Sequence, residues 1–335
     1  MEMTRRNFVG HGLMALTGVA AMPSFLHCDE RVDLHKYSKR LVFIFQRGGA
    51  DGLNMVIPYG ESAYYRLRPS IAIHQNSLID LDGFFGFHPA MSPFKPLWDR
   101  RDLAIVHAVG SPAAPPCHIA AQRFAHSGDM ESDESWLTCT LQALPEPAKF
   151  VSFPSRSFAA SLRQIAGALK SDPHVRVAYA ELSGWDHHAN QGGIEGPFSD
   201  LLHGFSRSLI TFWNELGELQ QDTVIVTMSE FGRSVRENDR GGTDHGQGGV
   251  MLIFGGPVQG ARVFTTWPGL EDGPNGRSLL RATADFRAVL TEIIGHHLGC
   301  REVEQLFPGF ADQTSISSLV GSSPDIPALR AADPA

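Results

Sequence analysis

The sequence predicts an α/β chain built on a doubly wound, mostly parallel sheet flanked by helices. Three observations predict it. Five short apolar runs recur along the chain, amphipathic stretches of helical period fall among them, and each run stops at a turn that contains glycine. A continuous apolar run is what a strand covered on both faces requires. Strands alternating with helices need crossover connections, and such connections favour parallel pairing.

Taken in order, the first strand is expected over residues 41–45, ending in Arg47-Gly48-Gly49-Ala50-Asp51-Gly52. The second covers 103–109 and ends at Gly110-Ser111-Pro112. The third covers 175–181 before Ser183-Gly184, and the fourth 223–228 before Ser229-Glu230-Phe231-Gly232. The fifth covers 250–254 before Gly255-Gly256-Pro257. Helices are expected over 158–169 and 285–298. The best defined runs from Phe198 to Leu216, where Phe198, Leu201, Leu202, Phe205, Leu209, Phe212, Trp213 and Leu216 recur at three- and four-residue steps. In open parallel sheets, sites form beyond the carboxyl ends of the strands.

The N-terminus reads differently. Thr4-Arg5-Arg6-Asn7-Phe8-Val9 sets two arginines before an aromatic residue, and an apolar stretch over 12–22 follows. That stretch is shorter than the roughly 20 residues a membrane span needs. Residues 1–28 are therefore expected to be a twin-arginine leader, which implies a translocase partner and a periplasmic or extracellular destination. Residues 29–314 are expected to form a single domain, and 315–335 a poorly ordered tail containing Pro324, Pro327 and Pro334. With 28 Lys and Arg against 36 Asp and Glu, the net charge is -8, which argues against a nucleic-acid partner. No stable membrane span is expected.

Polar residues gather at the strand ends. Asp186-His187-His188 follows the third strand, and two donors that close in a tight loop can face one zinc or manganese ion. Thr243-Asp244-His245-Gly246 lies in a second glycine-rich loop. Asp51 and Glu230 each follow a strand. Asp51 reads equally as a ligand or as a helix cap. Together Asp51, Asp186, His188, Glu230, Asp244 and His245 form a candidate set for one divalent metal or a pair. Arg47 and Arg233 read either as a grip on an anionic ester substrate or as ion-pair partners of these carboxylates. Of the cysteines, Cys28 belongs to the leader region, and an oxidising compartment would permit one disulfide among Cys117, Cys139 and Cys300.

Segments 47–54, 183–188, 229–233 and 242–246 resemble, in matching order, a bacterial exported family of unknown function. That family is grouped with the alkaline phosphatases, sulfatases and cofactor-independent phosphoglycerate mutases. The resemblance implies an alkaline-phosphatase-like fold and a divalent metal, with Asp51, Asp186 and His188 as ligands and His245 as a later one. It also implies Asp-His-Gly after the next strand, where this chain has Glu230 and Phe231, so a second ion loses a histidine. The nucleophile position falls at Cys117-His118, which are the catalytic candidates. Conversion of Cys117 to formylglycine requires Pro or Ala two residues on and Arg four on, and Ile119 and Ala121 do not meet the pattern. Cys117 reads as a thiolate nucleophile, a metal ligand, a disulfide partner of Cys139 or an inert thiol. The resemblance implies a hydrolase of phosphate or sulfate esters; the alternative is a non-catalytic exported binding protein on the same fold with a degraded metal site.

Overall fold

All five apolar runs form strands in the computed structural model. It describes residues 39–111, 117–129, 134–145, 147–270, 279–300, 303, 306–307, 310 and 318–321. The expected leader, with Arg5, Arg6 and Cys28, lies outside the described residues.

The strands are β1 (Arg40–Arg47), β2 (Val56–Ile57), β3 (Ile79–Asp80), β4 (Gly86–Phe87), β5 (Leu103–Gly110), β6 (Lys149–Ser152), β7 (Val175–Ser183), β8 (Thr223–Met228), β9 (Gly249–Gly255), β10 (Arg262–Phe264) and β11 (Ala284–Asp285). The main sheet has the order β10-β5-β9-β8-β1-β7-β6, with β11 also paired to β5. β1 lies parallel to β7 and to β8, β6 is parallel to β7, and β10 and β11 are parallel to β5. β9 alone on this path runs antiparallel, to β5 on one side and β8 on the other. The expectation of a mostly parallel sheet holds, and the reversed strand has a consequence for the site. The start of β9 lies at the edge where its neighbour β8 ends, so residues just before β9 join residues just after β8. β2, β4 and β3 form a separate small antiparallel sheet.

Among the described residues, five helices of eight residues or more cover the main sheet: α1 (His118–Ser127), α2 (Trp136–Ala143), α3 (Phe158–Ser171), α4 (Pro197–Leu216) and α5 (Phe286–His296). Strand alternation divides the core. Val42 and Ile44 of β1 pack with Leu162 of α3 and Phe205 of α4 on one face. Leu41, Phe43 and Phe45 pack with Phe124 of α1, Trp136 of α2 and Ile293 of α5 on the other. α4 buries Phe198, Leu202, Phe205, Leu209, Phe212, Trp213 and Leu216. Each such side chain contributes about 1.5–3 kcal/mol on burial. No helix among the described residues is long and apolar enough to cross a membrane. Within the span expected as a tail, Leu319 and Val320 are buried, and Val320 bridges Val258.

Candidate metal centre

Three loops interlock at the edge where β1, β7 and β8 end and β9 begins. Gly48 follows β1 with φ 128°, and a Cβ there would stand 2.8 Å from the Asp186 backbone nitrogen. Only glycine allows that approach. The loop from β8 to β9 folds back on itself: Gly246 N–H donates to the Gly232 carbonyl at 2.8 Å, and Ser234 N–H to that of Asp244 at 2.8 Å. Arg233 and His245 are thereby paired as neighbours. Thr243 N–H donates to the His187 carbonyl at 3.0 Å, which joins this loop to the one after β7.

Arg233 fastens all three loops. The residue is 2% exposed, and its guanidinium donates to the carbonyls of Gly49, Gly48, Trp185 and Thr243 and to Asp186 Oδ1. Every face of the side chain is thus engaged, so it holds the site rather than reaching out to an ester.

On this frame the Nε2 atoms of His118, His188 and His245 converge on the Asp186 carboxylate. His188 Nε2 lies 3.0 Å from Asp186 Oδ1 and 3.1 Å from His245 Nε2. His245 Nε2 is 3.8 Å from the same oxygen, and His118 Nε2 is 3.4 Å from Asp186 Oδ2. Donor atoms of His118, Asp186 and His245 all lie within 4.8 Å of one another. The far nitrogens of His118 and His188 are held by carboxylates. His118 Nδ1 donates to Glu230 Oε1 at 2.9 Å, and His188 Nδ1 to Asp244 Oδ1 at 3.2 Å. A proton fixed on Nδ1 leaves Nε2 as a lone pair directed at the cluster, the usual arrangement behind a metal-binding histidine.

Glu230 is an accepting hub. Its carboxylate takes hydrogen bonds from Gly48 N–H, His118, Gln122 Nε2 and Ser229 Oγ. Burial pushes its carboxyl up, but the bonds from His118, Gln122 and the backbone outweigh burial and bring it down to about 2. The same bond raises His118 above the usual imidazole value, against the effect of burial. Asp186 is raised by burial yet lowered on balance by Arg233 and by the charges of His188 and His118. The Phe231 ring lies beside the imidazoles of His118 and His245, with centroids 4.9 and 4.7 Å away.

The sequence-derived set therefore divides. Asp186, His188 and His245 meet. His118, expected as catalytic, joins them as a donor. Glu230 and Asp244 stand one step back as partners of the imidazoles. Asp51 is elsewhere: it sits at the N-cap of the short helix Gly52–Met55, and its Oδ2 accepts from Arg68 Nη1 at 2.7 Å and Gln191 Nε2 at 2.6 Å. Arg47, 41% exposed, reaches Glu181 at 3.8 Å and none of the cluster carboxylates. Cys117 is exposed at the N-cap of α1, one residue from His118, and Cys117, Cys139 and Cys300 are all free thiols, so the Cys117–Cys139 disulfide is not formed. Sequence reading missed Gln122, Gln191 and Thr243. Nothing in a lone amide or hydroxyl marks it as a link between loops until the loops are placed.

Residues 155–279 match the model of a family described as a protein of unknown function (DUF1501). The motif segments 183–188, 229–233 and 242–246 fall inside that span, and the resemblance to a family of unknown function is borne out there. No curated protein matches. Among solved structures, the chain is similar to the C-terminal periplasmic domain of EcEptC from Escherichia coli in complex with Zn, at 9% identity over 65% of this chain and 73% of that one, TM-score 0.41. It is similar also to the lipoteichoic acid synthase LtaP from Listeria monocytogenes, at 10% identity over 69% and 67%, TM-score 0.37. A third is murine ectonucleotide pyrophosphatase/phosphodiesterase 5, at 10% identity over 58% and 57%, TM-score 0.29.

Proposed function

We propose that the chain is an exported metal-dependent hydrolase that holds one divalent ion between His118, Asp186, His188 and His245 and cleaves phosphate or sulfate esters. The observation that carries this reading is the convergence of three imidazole Nε2 atoms on one carboxylate, with Glu230 and Asp244 on the far nitrogens of two. The donor set fits a metal. Bonds of about 2.0–2.1 Å at tetrahedral angles set neighbouring donors about 3.3 Å apart; His188 and His245 lie 3.0 and 3.8 Å from Asp186 Oδ1 and 3.1 Å from each other, and His118 lies 3.4 Å from the other carboxylate oxygen, which bracket that value. His118 Nε2 is buried and makes no hydrogen bond among the described residues, a cost that a ligated cation removes. Three imidazoles with one carboxylate suit zinc. Phe231 occupies the place beside His118 and His245 with an apolar ring, which favours one ion over two.

When bound, the ion supplies Lewis-acid polarisation of the ester. The chain supplies the remainder. Glu230 and Asp244 orient His118 and His188, Arg233 holds Asp186 and the three loops in register, and Cys117, exposed at the helix head just before His118, offers a thiol as nucleophile. The export part of the proposal rests on the leader motif: residues 1–28 serve as a twin-arginine leader, 29–314 form the single domain, and 315–335 form the tail, within which Leu319 and Val320 are buried. Arg5→Lys with Arg6→Lys should strand the chain in the cytoplasm, and undiminished export would assign it to the general route.

Activity is tested on full-length protein purified without chelators, with aryl phosphate and aryl sulfate esters as substrates. Chelation should abolish cleavage. His188→Ala should lose more than about 100-fold, whereas Cys117→Ser should retain part of the rate. Absence of cleavage by metal-loaded protein would favour the exported binding protein instead.

A further inference from the structure

We infer that Asp51 is a positioning residue for the metal cluster, acting through Gln191 and Thr243 on the loop that presents Asp244 and His245. The inference rests on the metal-site reading above. Asp51 is buried, with its side chain 3% exposed, and its partner Arg68 is fully buried. From Asp51 Oδ2 two chains of contacts run outward. Through the first, Gln191 Nε2 donates to Asp51 at 2.6 Å, and Thr243 Oγ1 donates to Gln191 Oε1 at 2.9 Å. Thr243 immediately precedes Asp244 and His245. Through the second, Arg68 Nη1 donates to Asp51 at 2.7 Å while Nε and Nη2 donate to the carbonyls of Val235 and Ser234 at 2.8 and 2.7 Å.

Both ends of the segment 233–245 are thus tied to one carboxylate oxygen. Thr243 is the joint of the arrangement. Its N–H donates to His187, next to His188, and its carbonyl accepts from Arg233 Nη1 at 3.0 Å, the residue that holds Asp186. Gln191 adds a backbone bond to the Gly241 carbonyl at 2.8 Å. Buried chains of this kind fix loop geometry because each unmade bond would leave a polar atom without a partner. Loss of the Thr243 hydroxyl therefore frees the loop at the point where two cluster residues leave it. Groups behind the ligands commonly change metal affinity about 10–100-fold when removed.

The test is titration of full-length protein with Co²⁺, followed by electronic absorption, which reads both affinity and coordination geometry. Thr243→Val, which keeps side-chain shape and removes the hydroxyl, should weaken Co²⁺ binding about 10–100-fold and alter the absorption band. The metal-free variant should remain folded and melt below the parent, because the Gln191 oxygen loses its donor. Thr243→Ser, which restores a donor to Gln191, should recover both affinity and spectrum. Gln191→Met breaks the same chain one link earlier and should reproduce the loss if Thr243→Val does not fold. Parental binding by Thr243→Val or Gln191→Met would overturn the inference while leaving the metal site standing. So would a loss that Thr243→Ser fails to recover. A parent chain that takes up no Co²⁺ would overturn both together.

Discussion

Glu230 illustrates how a carboxylate can support a cluster of imidazoles from one step away. Its side chain is fully buried, and the donors around it hold it as an anion throughout the physiological range. That anion keeps the His118 proton on Nδ1. Glu230→Gln retains the shape and removes the charge, so His118 Nδ1 faces an amide that can accept or donate and its tautomer is no longer fixed. Zinc affinity should fall about 10–100-fold, measured by competition with a chelating dye, and parental affinity would contradict the role. Spacing made the pairs Asp186/His188 and Asp244/His245 legible in the sequence, because donors two or fewer residues apart in glycine-rich loops are forced into proximity. The division into residues that meet at the cluster and residues that support them was not legible. Whether Glu230 meets an ion or an imidazole depends on Gly48 and Gln122, which are distant in sequence and arrive only on folding. The same applies to Asp51, whose cap position was foreseen but whose partners Arg68 and Gln191 were not.

Among the elements, those that are long and doubly covered announced themselves. Residues 41–45 and 223–228 are buried throughout, so neither face needs polar side chains. The short strands β6, β10 and β11 escaped notice, since KFVS, RVF and AD carry no run or alternation long enough to read. Strand direction was equally hidden. The apolar run of β9 fits either orientation, yet its reversal is what brings His245 beside the ends of β7 and β8. The loops between these elements tolerate little change. A Cβ on Gly242 would meet the His188 carbonyl carbon at 2.4 Å and the Ala189 nitrogen at 2.5 Å, both backbone atoms. Gly242→Ala should therefore destabilise the protein by about 1–3 kcal/mol and weaken metal binding together with it. A melting curve and a metal titration identical to those of the parent would show that the loops are less tightly joined.

Over the whole molecule, the fold buries histidines that carry no part of the cluster. His107 lies in β5 and donates to the Val56 carbonyl, and His297 follows α5 and donates to that of Arg40. Burial lowers each to about 4. The unfolded chain binds these protons near pH 6.5 and the folded chain near 4, so stability is fully present above 6.5. It should decline as pH falls from 6.5 to 4, and a melting temperature constant across that window would contradict the burial of neutral imidazoles. The site itself joins residues from the ends of three strands, the start of a fourth and the head of α1, so its integrity depends on the whole sheet. The most direct test of the central claim is the metal content of full-length protein purified without chelators, measured by elemental analysis and native mass spectrometry. One zinc or similar divalent ion per chain, lost in a His118→Ala, His188→Ala double variant that remains folded, is the expected result. A chain with no bound ion from metal-replete cells, or one that retains its ion in the double variant, would contradict it.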